Sequence, residues 1–149
     1  SAGRKPTPRI ERLIAADPDI ALTGWVDDIR DYIAESAVYI VPIRIGGGTR
    51  IKIYEALAMG KALVSTTVGA EDLPLQDGEH FLRVDEPRAF ADAVLSLLRD
   101  EPRRRQMGDA ARRYVDDYFR WEKVAERFLE ICEAAAGRPA TPGDGGQKP

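Results

Sequence analysis

A continuous apolar run, Val38-Tyr39-Ile40-Val41, stops at Pro42, opens into Gly46-Gly47-Gly48, and gives way after one helix-length segment to a second apolar run at 62–65. No other part of the chain restricts the fold as strongly. An apolar run without alternation suits a central parallel strand buried on both faces, and proline cannot continue such a strand. Residues 49–59 carry apolar side chains at helical spacing and end at Gly60, a residue suited to the left-handed turn that closes a helix. Strand, loop, helix and strand within about 30 residues make a βαβ unit, so the two strands are expected to lie parallel.

The flanking segments extend the same alternation, which is the pattern of an α/β domain: a parallel sheet flanked by helices. Residues 10–16 read as a short helix and 20–23 as a strand. Asp27 or Asp28 is placed to cap a helix that shares Ile29 and Ile33 on one face and ends near Ser36. Further on, 81–84 reads as a strand and Pro87 as the first position of a helix bearing Phe90, Val94, Leu97 and Leu98. Pro102 opens another helix, with Met107, Ala111, Tyr114 and Val115 on its buried side. A last one runs from about Trp121 through Val124, Phe128, Leu129 and Cys132 to Ala136. Residues 137–149 lose the apolar period and read as a disordered tail, leaving 1–136 as one domain.

With 149 residues, 44% of them apolar, the chain can bury one ordinary core. Its 22 basic and 25 acidic residues give a net charge of -3, so no overall field draws in nucleic acid or an anionic membrane, and an anion site must be local. Cys132 is the single cysteine; it has no partner for a disulfide or a thiolate zinc site, and a core-packing role in a reducing, cytoplasmic setting is expected. No apolar run reaches the roughly 20 residues of a membrane span, and the first residues lack the apolar stretch of a signal peptide. The chain starts without a methionine and in mid-pattern, which reads as a piece of a longer protein.

In an open parallel sheet, ligands sit at the carboxyl ends of the strands, here the loops 24–27, 43–49 and 65–71. Consecutive glycines let backbone N–H groups close on a ligand, and the helix that follows offers its unpaired N–H groups and positive dipole end. The loop is neither a Walker A loop nor the Gly-x-Gly-x-x-Gly of a dinucleotide binder, and a turn without a ligand is the plain alternative. Around the helix, Ile53, Ala56, Leu57 and Gly60 form the sheet-facing arc. Ile51, Ala58 and Met59 widen it, and Arg50, Tyr54 and Lys61 are left as the wet face. Lys52 and Glu55 fall inside the apolar sector, where a charge needs a partner. Either the two pair with each other one turn apart, or both reach a ligand at the glycine loop, Lys52 neutralising phosphate and Glu55 accepting from sugar hydroxyls. Arg50, in the first turn, opposes the dipole unless an anion is present; otherwise it is a solvated surface arginine. Asp27-Asp28 reads as a helix cap rather than a metal motif, and His80 as a turn residue that caps or faces solvent.

From Pro42 to Thr66 the chain strongly resembles the group 1 glycosyltransferases, with the likeness extending to Thr23-Gly24-Trp25-Val26-Asp27-Asp28 upstream and to Val68-Gly69-Ala70-Glu71 and Trp121-Glu122-Lys123 downstream. The resemblance covers roughly residues 2–130. It implies a Rossmann-like domain, one half of a two-domain GT-B enzyme, which binds a nucleotide-diphosphate sugar while an absent N-terminal domain holds the acceptor. It implies a donor phosphate and sugar site of Gly46, Gly47, Gly48, Thr49, Arg50 and Lys52. Glu55 matches the second glutamate of the family's Glu, seven residues, Glu signature and would bind the ribose. The first glutamate falls on Gly47, as in a Gly-rich subset of the family where N–H groups could take over from the acid. Gly24, Trp25 and Val26 match the base-binding region, Trp25 having core packing as its alternative.

Transfer with retention, without metal or other cofactor, is the implied chemistry. A sugar-nucleotide 2-epimerase of the same architecture and a non-catalytic nucleotide-binding module remain alternatives. The full-length protein would be cytoplasmic, with the inner membrane face as a peripheral location. The last helix, with Trp121, Phe128 and Leu129, is expected to expose apolar surface that the other domain would cover, leaving the isolated chain open to self-association.

Overall fold

The computed structural model describes residues 7–46 and 51–137. Within them lie helix α1 (Pro8–Ala16), helix α2 (Arg30–Glu35), strand β1 (Val38–Val41), helix α3 (Ile51–Ala58), strand β2 (Ala62–Ser65), strand β3 (Leu82–Arg83) and helices α4 (Pro87–Arg99), α5 (Glu101–Tyr118) and α6 (Trp121–Ala135). The strands form one parallel sheet in the order β1-β2-β3, with Val38 opposite Ala62 and Val64 opposite Leu82. The architecture is therefore α/β, a parallel sheet flanked by helices, with β1, α3 and β2 as its βαβ unit.

Because successive side chains of a strand point to opposite faces, β2 feeds two cores. Leu63 joins Ile53 and Leu57 of α3 and Ala111 and Val115 of α5, together with Phe81. Ala62 and Val64 point the other way, to Leu97 of α4 and Met107 of α5. All four residues of β2 are buried. By contrast, β1 is an edge of the described sheet, and Ile40 is 49% exposed. The central position expected for 38–41 thus belongs to β2: an apolar run reports that a strand is compatible with burial, not which neighbours it acquires. The segment 20–23, expected as a strand, forms none; Ile20 is exposed and its N–H bonds to the Asp17 carbonyl in a turn.

Local signals set most element ends. Asp28 Oδ1 accepts the Arg30 N–H at the start of α2. Glu86 accepts from the Ala89 N–H ahead of Pro87, and Asp100 from the Arg103 N–H. At the end of α3, Gly60 (φ 67°) donates to Leu57 and Lys61 N–H to Ala56, the paired bonds of a Schellman closure. Lys61 does not simply face water as expected: its Nζ donates to the Ala34 and Ser36 carbonyls at 2.6 and 3.0 Å and so tethers the end of α2.

α6 buries none of its residues. Trp121 is 83% exposed and Phe128, Leu129 and Ile131 are likewise bare, so the apolar surface expected there is present. Cys132 lies on this uncovered helix and is exposed, which corrects the expected core role. No described helix is long and apolar enough to cross a membrane. Of the expected tail, 138–149 lies outside the described residues.

Candidate functional site

Parallel pairing puts the carboxyl ends of β1, β2 and β3 on one edge, and three loops leave from it: 42–46, 66–70 and 84–86. They are sewn together by hydrogen bonds. The Thr66 hydroxyl donates to the Ile43 carbonyl and accepts the Gly69 N–H at 3.0 Å. Thr67 gives both its N–H (2.8 Å) and its hydroxyl (2.7 Å) to the two oxygens of Asp85. These bonds hold the Asp85 carboxyl below its ordinary pKa, with the Thr67 hydroxyl the largest cause. Arg44 donates to the Asp85 carbonyl at 3.3 Å. A side chain on Gly69 would stand 2.4 Å from Ser65 Oγ and 2.7 Å from the Val41 carbonyl, so only glycine lets the second loop settle on the end of β1.

The expected donor residues divide into three groups. Gly46 follows the end of β1 in a positive-φ conformation (137°), exposed at the edge. Gly47, Gly48, Thr49 and Arg50 lie outside the described residues. Lys52 and Glu55 stand on α3, but not in a buried arc: Lys52 is exposed and Glu55 is half-buried. Tyr54, expected on the wet face, instead packs on Phe119 with ring centroids 4.6 Å apart. The sheet-facing Ile53, Ala56 and Leu57 are buried as expected, and Tyr54 beside them is drawn inward by the aromatic cluster it forms with Tyr114 and Phe119. No ion pair links Lys52 to Glu55, so the pairing alternative is not the arrangement seen.

Glu55 makes itself felt on two other groups. Its charge adds to burial in raising the Tyr39 hydroxyl above its ordinary pKa. It also adds, as the smallest of several causes, to the upward shift of Arg30, which is dominated by Asp28. The guanidinium of Arg30 forks onto the Asp28 carboxylate, with Nη2 to Oδ2 at 2.6 Å, and the carboxyl falls to about 2. The start of α2 and the middle of α3 are thus electrostatic neighbours. Just upstream, Gly24 has φ 68°, Val26 is half-buried and Trp25 is 73% exposed, which rules out the core alternative for Trp25.

His80 serves its own turn: Nδ1 accepts the Gln76 N–H at 2.9 Å, and the buried ring lies against Tyr114. Among the described residues no cluster of His, Cys, Asp and Glu could hold a metal ion. Sequence reasoning did not single out Arg44, Thr66, Thr67 or Asp85. The available signal was position, two hydroxyls directly after a buried strand and an acid directly before a helix cap.

Residues 1–100 match the family described as glycosyl transferases group 1. Phosphatidyl-myo-inositol mannosyltransferase of Mycobacterium tuberculosis is 33% identical over 128 residues, which are 78% of this chain and 33% of that protein. N-acetyl-alpha-D-glucosaminyl L-malate synthase of Bacillus anthracis is 33% identical over 75% of this chain and 30% of its own length. Among solved structures, sucrose-phosphate synthase from Thermosynechococcus elongatus superposes with a TM-score of 0.75 at 22% identity, over 91% of this chain and 38% of that one. TarM of S. aureus, solved with fondaparinux, alpha-GlcNAc-glycerol and UDP, gives a TM-score of 0.70 at 16% identity over 83% of this chain and 26% of its own. The chain spans about a fifth to a third of the length of the curated relatives it matches.

Proposed function

Since the chain belongs to the group 1 glycosyltransferases, we propose that it is the donor half of a GT-B enzyme, binding a nucleotide-diphosphate sugar that the full-length protein transfers to an acceptor with retention. The relatives named above transfer sugars, and UDP accompanies TarM in its crystals. The observation that carries the proposal is the arrangement of charge at the carboxyl edge. Lys52 is exposed in the first turn of α3, one turn from Glu55, and the two leave each other unpaired, close in sequence to a positive-φ Gly46. A cation and N–H donors at a helix start suit a diphosphate; an ionised carboxylate one turn on suits ribose hydroxyls.

In this reading Gly46, Gly47, Gly48, Thr49, Arg50 and Lys52 receive the diphosphate and sugar, Glu55 the ribose, and Gly24, Trp25 and Val26 the base. Trp25, bare as it stands, offers a flat ring for stacking. Positive charge and N–H donors at the diphosphate stabilise it as it leaves, which needs no metal. The acceptor and the closure that assembles the full site belong to the other domain, so residues 1–136 alone bind donor without turning it over.

The test is nucleotide binding by this chain, followed by NMR or thermal shift with UDP, GDP and ADP and their sugars. One nucleotide class is expected to bind, Lys52→Ala and Glu55→Ala each weakening it by about tenfold, as loss of a charged hydrogen bond does. Binding left untouched by both substitutions would remove α3 from the site. Release of an epimerised sugar by the full-length protein without acceptor would reassign the reaction to 2-epimerisation.

A further inference from the structure

We infer that Asp85 is a positioning residue for the donor site: through Thr67 and Thr66 it fixes the loop 43–46 that leads into the glycine run. The inference rests on donor binding at this sheet edge. Asp85 follows β3, two strands along the sheet from β1, and is exposed. Its role is read from connectivity. Both carboxylate oxygens are used on one residue, Thr67, which they hold by main chain and side chain at once. A threonine held at N–H and hydroxyl together is restricted in φ and χ1, and the preceding Thr66 is restrained with it. The Thr66 hydroxyl is then aimed across the edge at the Ile43 carbonyl, while it accepts the Gly69 N–H behind it. Arg44, the next residue of the same loop, returns to the Asp85 carbonyl and closes the circuit.

The circuit runs from the third strand end to the first and back, and it contains none of the residues assigned above to the diphosphate, sugar, ribose or base. Its physical effect is preorganisation. A loop that must present several N–H groups to one ligand loses less freedom on binding when its entry is already fixed. The Ser65 hydroxyl adds a parallel tie to the Val41 carbonyl, but it is buried beneath the loop and depends on neither Asp85 nor Thr67.

The test compares the isotopically labelled wild-type chain with Asp85→Asn, Thr67→Val and Thr67→Ser. Without nucleotide, Asp85→Asn and Thr67→Val are expected to move the Ile43 carbonyl and the amide resonances of 44–46, whereas Thr67→Ser, which keeps the hydroxyl, restores them. With whichever of UDP, GDP and ADP the wild-type chain binds, the first two variants should bind about three- to tenfold more weakly at a melting temperature matching that of Thr67→Ser. Resonance changes confined to 66–69 and 84–86 overturn the inference, and so does unaltered affinity in variants whose 43–46 resonances have moved. If the wild-type chain binds none of UDP, GDP and ADP, the donor-site reading fails with it; resonances of 43–46 that still follow the threonine hydroxyl then keep the positioning circuit, and resonances that do not remove it as well.

Discussion

Asp28 shows how much a single carboxylate can do at an exposed position. It accepts the Arg30 N–H that starts α2 and at the same time holds the Arg30 guanidinium, which lowers its pKa to about 2. A carboxyl depressed in the folded state contributes stability that is full above the ordinary value near 4 and is lost as pH falls toward the folded value. A carboxyl-carbon titration should give a midpoint near 2, with the α2 amides moving in step; a midpoint at the ordinary value would show that the fork does not persist in solution. Gly69 is constrained by volume instead. In Gly69→Ala the new carbon collides with Ser65 Oγ and with the Val41 carbonyl. Loss of UDP or GDP binding is expected, and the double variant with Ser65→Ala should recover only part of it, because the backbone carbonyl stays where it is. Full recovery would locate the conflict at the serine alone.

At the scale of elements, α5 sits hard against the end of α3. A Cβ on Gly108 of α5 would lie 2.0 Å from the Gly60 carbonyl at the end of α3. Gly108→Ala should therefore push α5 off α3 and cost about 1–3 kcal/mol, the usual range for overpacking, read as a lowered denaturant midpoint at constant slope. Unchanged stability would mean that the two helices can slide apart freely. The sequence made the start of α2, the start of α4 and the end of α3 legible because their signals are local: a capping acid, a proline, a glycine. It found β1 at its right residues but not its rank in the sheet, and misread 20–23, because the rank of a strand depends on partners far along the chain. The same limit applied to α3. Helical periodicity predicted an apolar arc, but Phe119 and Tyr114, more than fifty residues away, decide that Tyr54 turns inward. Of the candidate site, the glycine loop and Glu55 are proposed on residue type, spacing and resemblance alone. The Asp85 circuit was not legible in the sequence, since its members lie in three separate loops and meet only once the sheet is built.

For the whole molecule, the bare face of α6 sets the behaviour in solution. A surface that gathers Trp121, Val124, Phe128, Leu129 and Ile131 on one uncovered helix is a site for association. The chain is expected to self-associate as its concentration rises, and the pair Phe128→Glu with Leu129→Lys should abolish this at an unchanged melting temperature, since neither side chain is part of the core. Sedimentation velocity over a concentration series decides: a wild-type chain that stays monomeric throughout would show that apolar exposure here has no such effect.

The amine of Lys61 gripping the last carbonyls of α2 has a further meaning for speed. It couples the far end of α2, the helix that follows the proposed base residues 24–26, to the end of α3, the helix that would face the diphosphate, so the two halves of the site are held in register before a nucleotide arrives. Capture should then be a single fast step without a slow rearrangement after it, and acylating that one amine should introduce a second, slower phase.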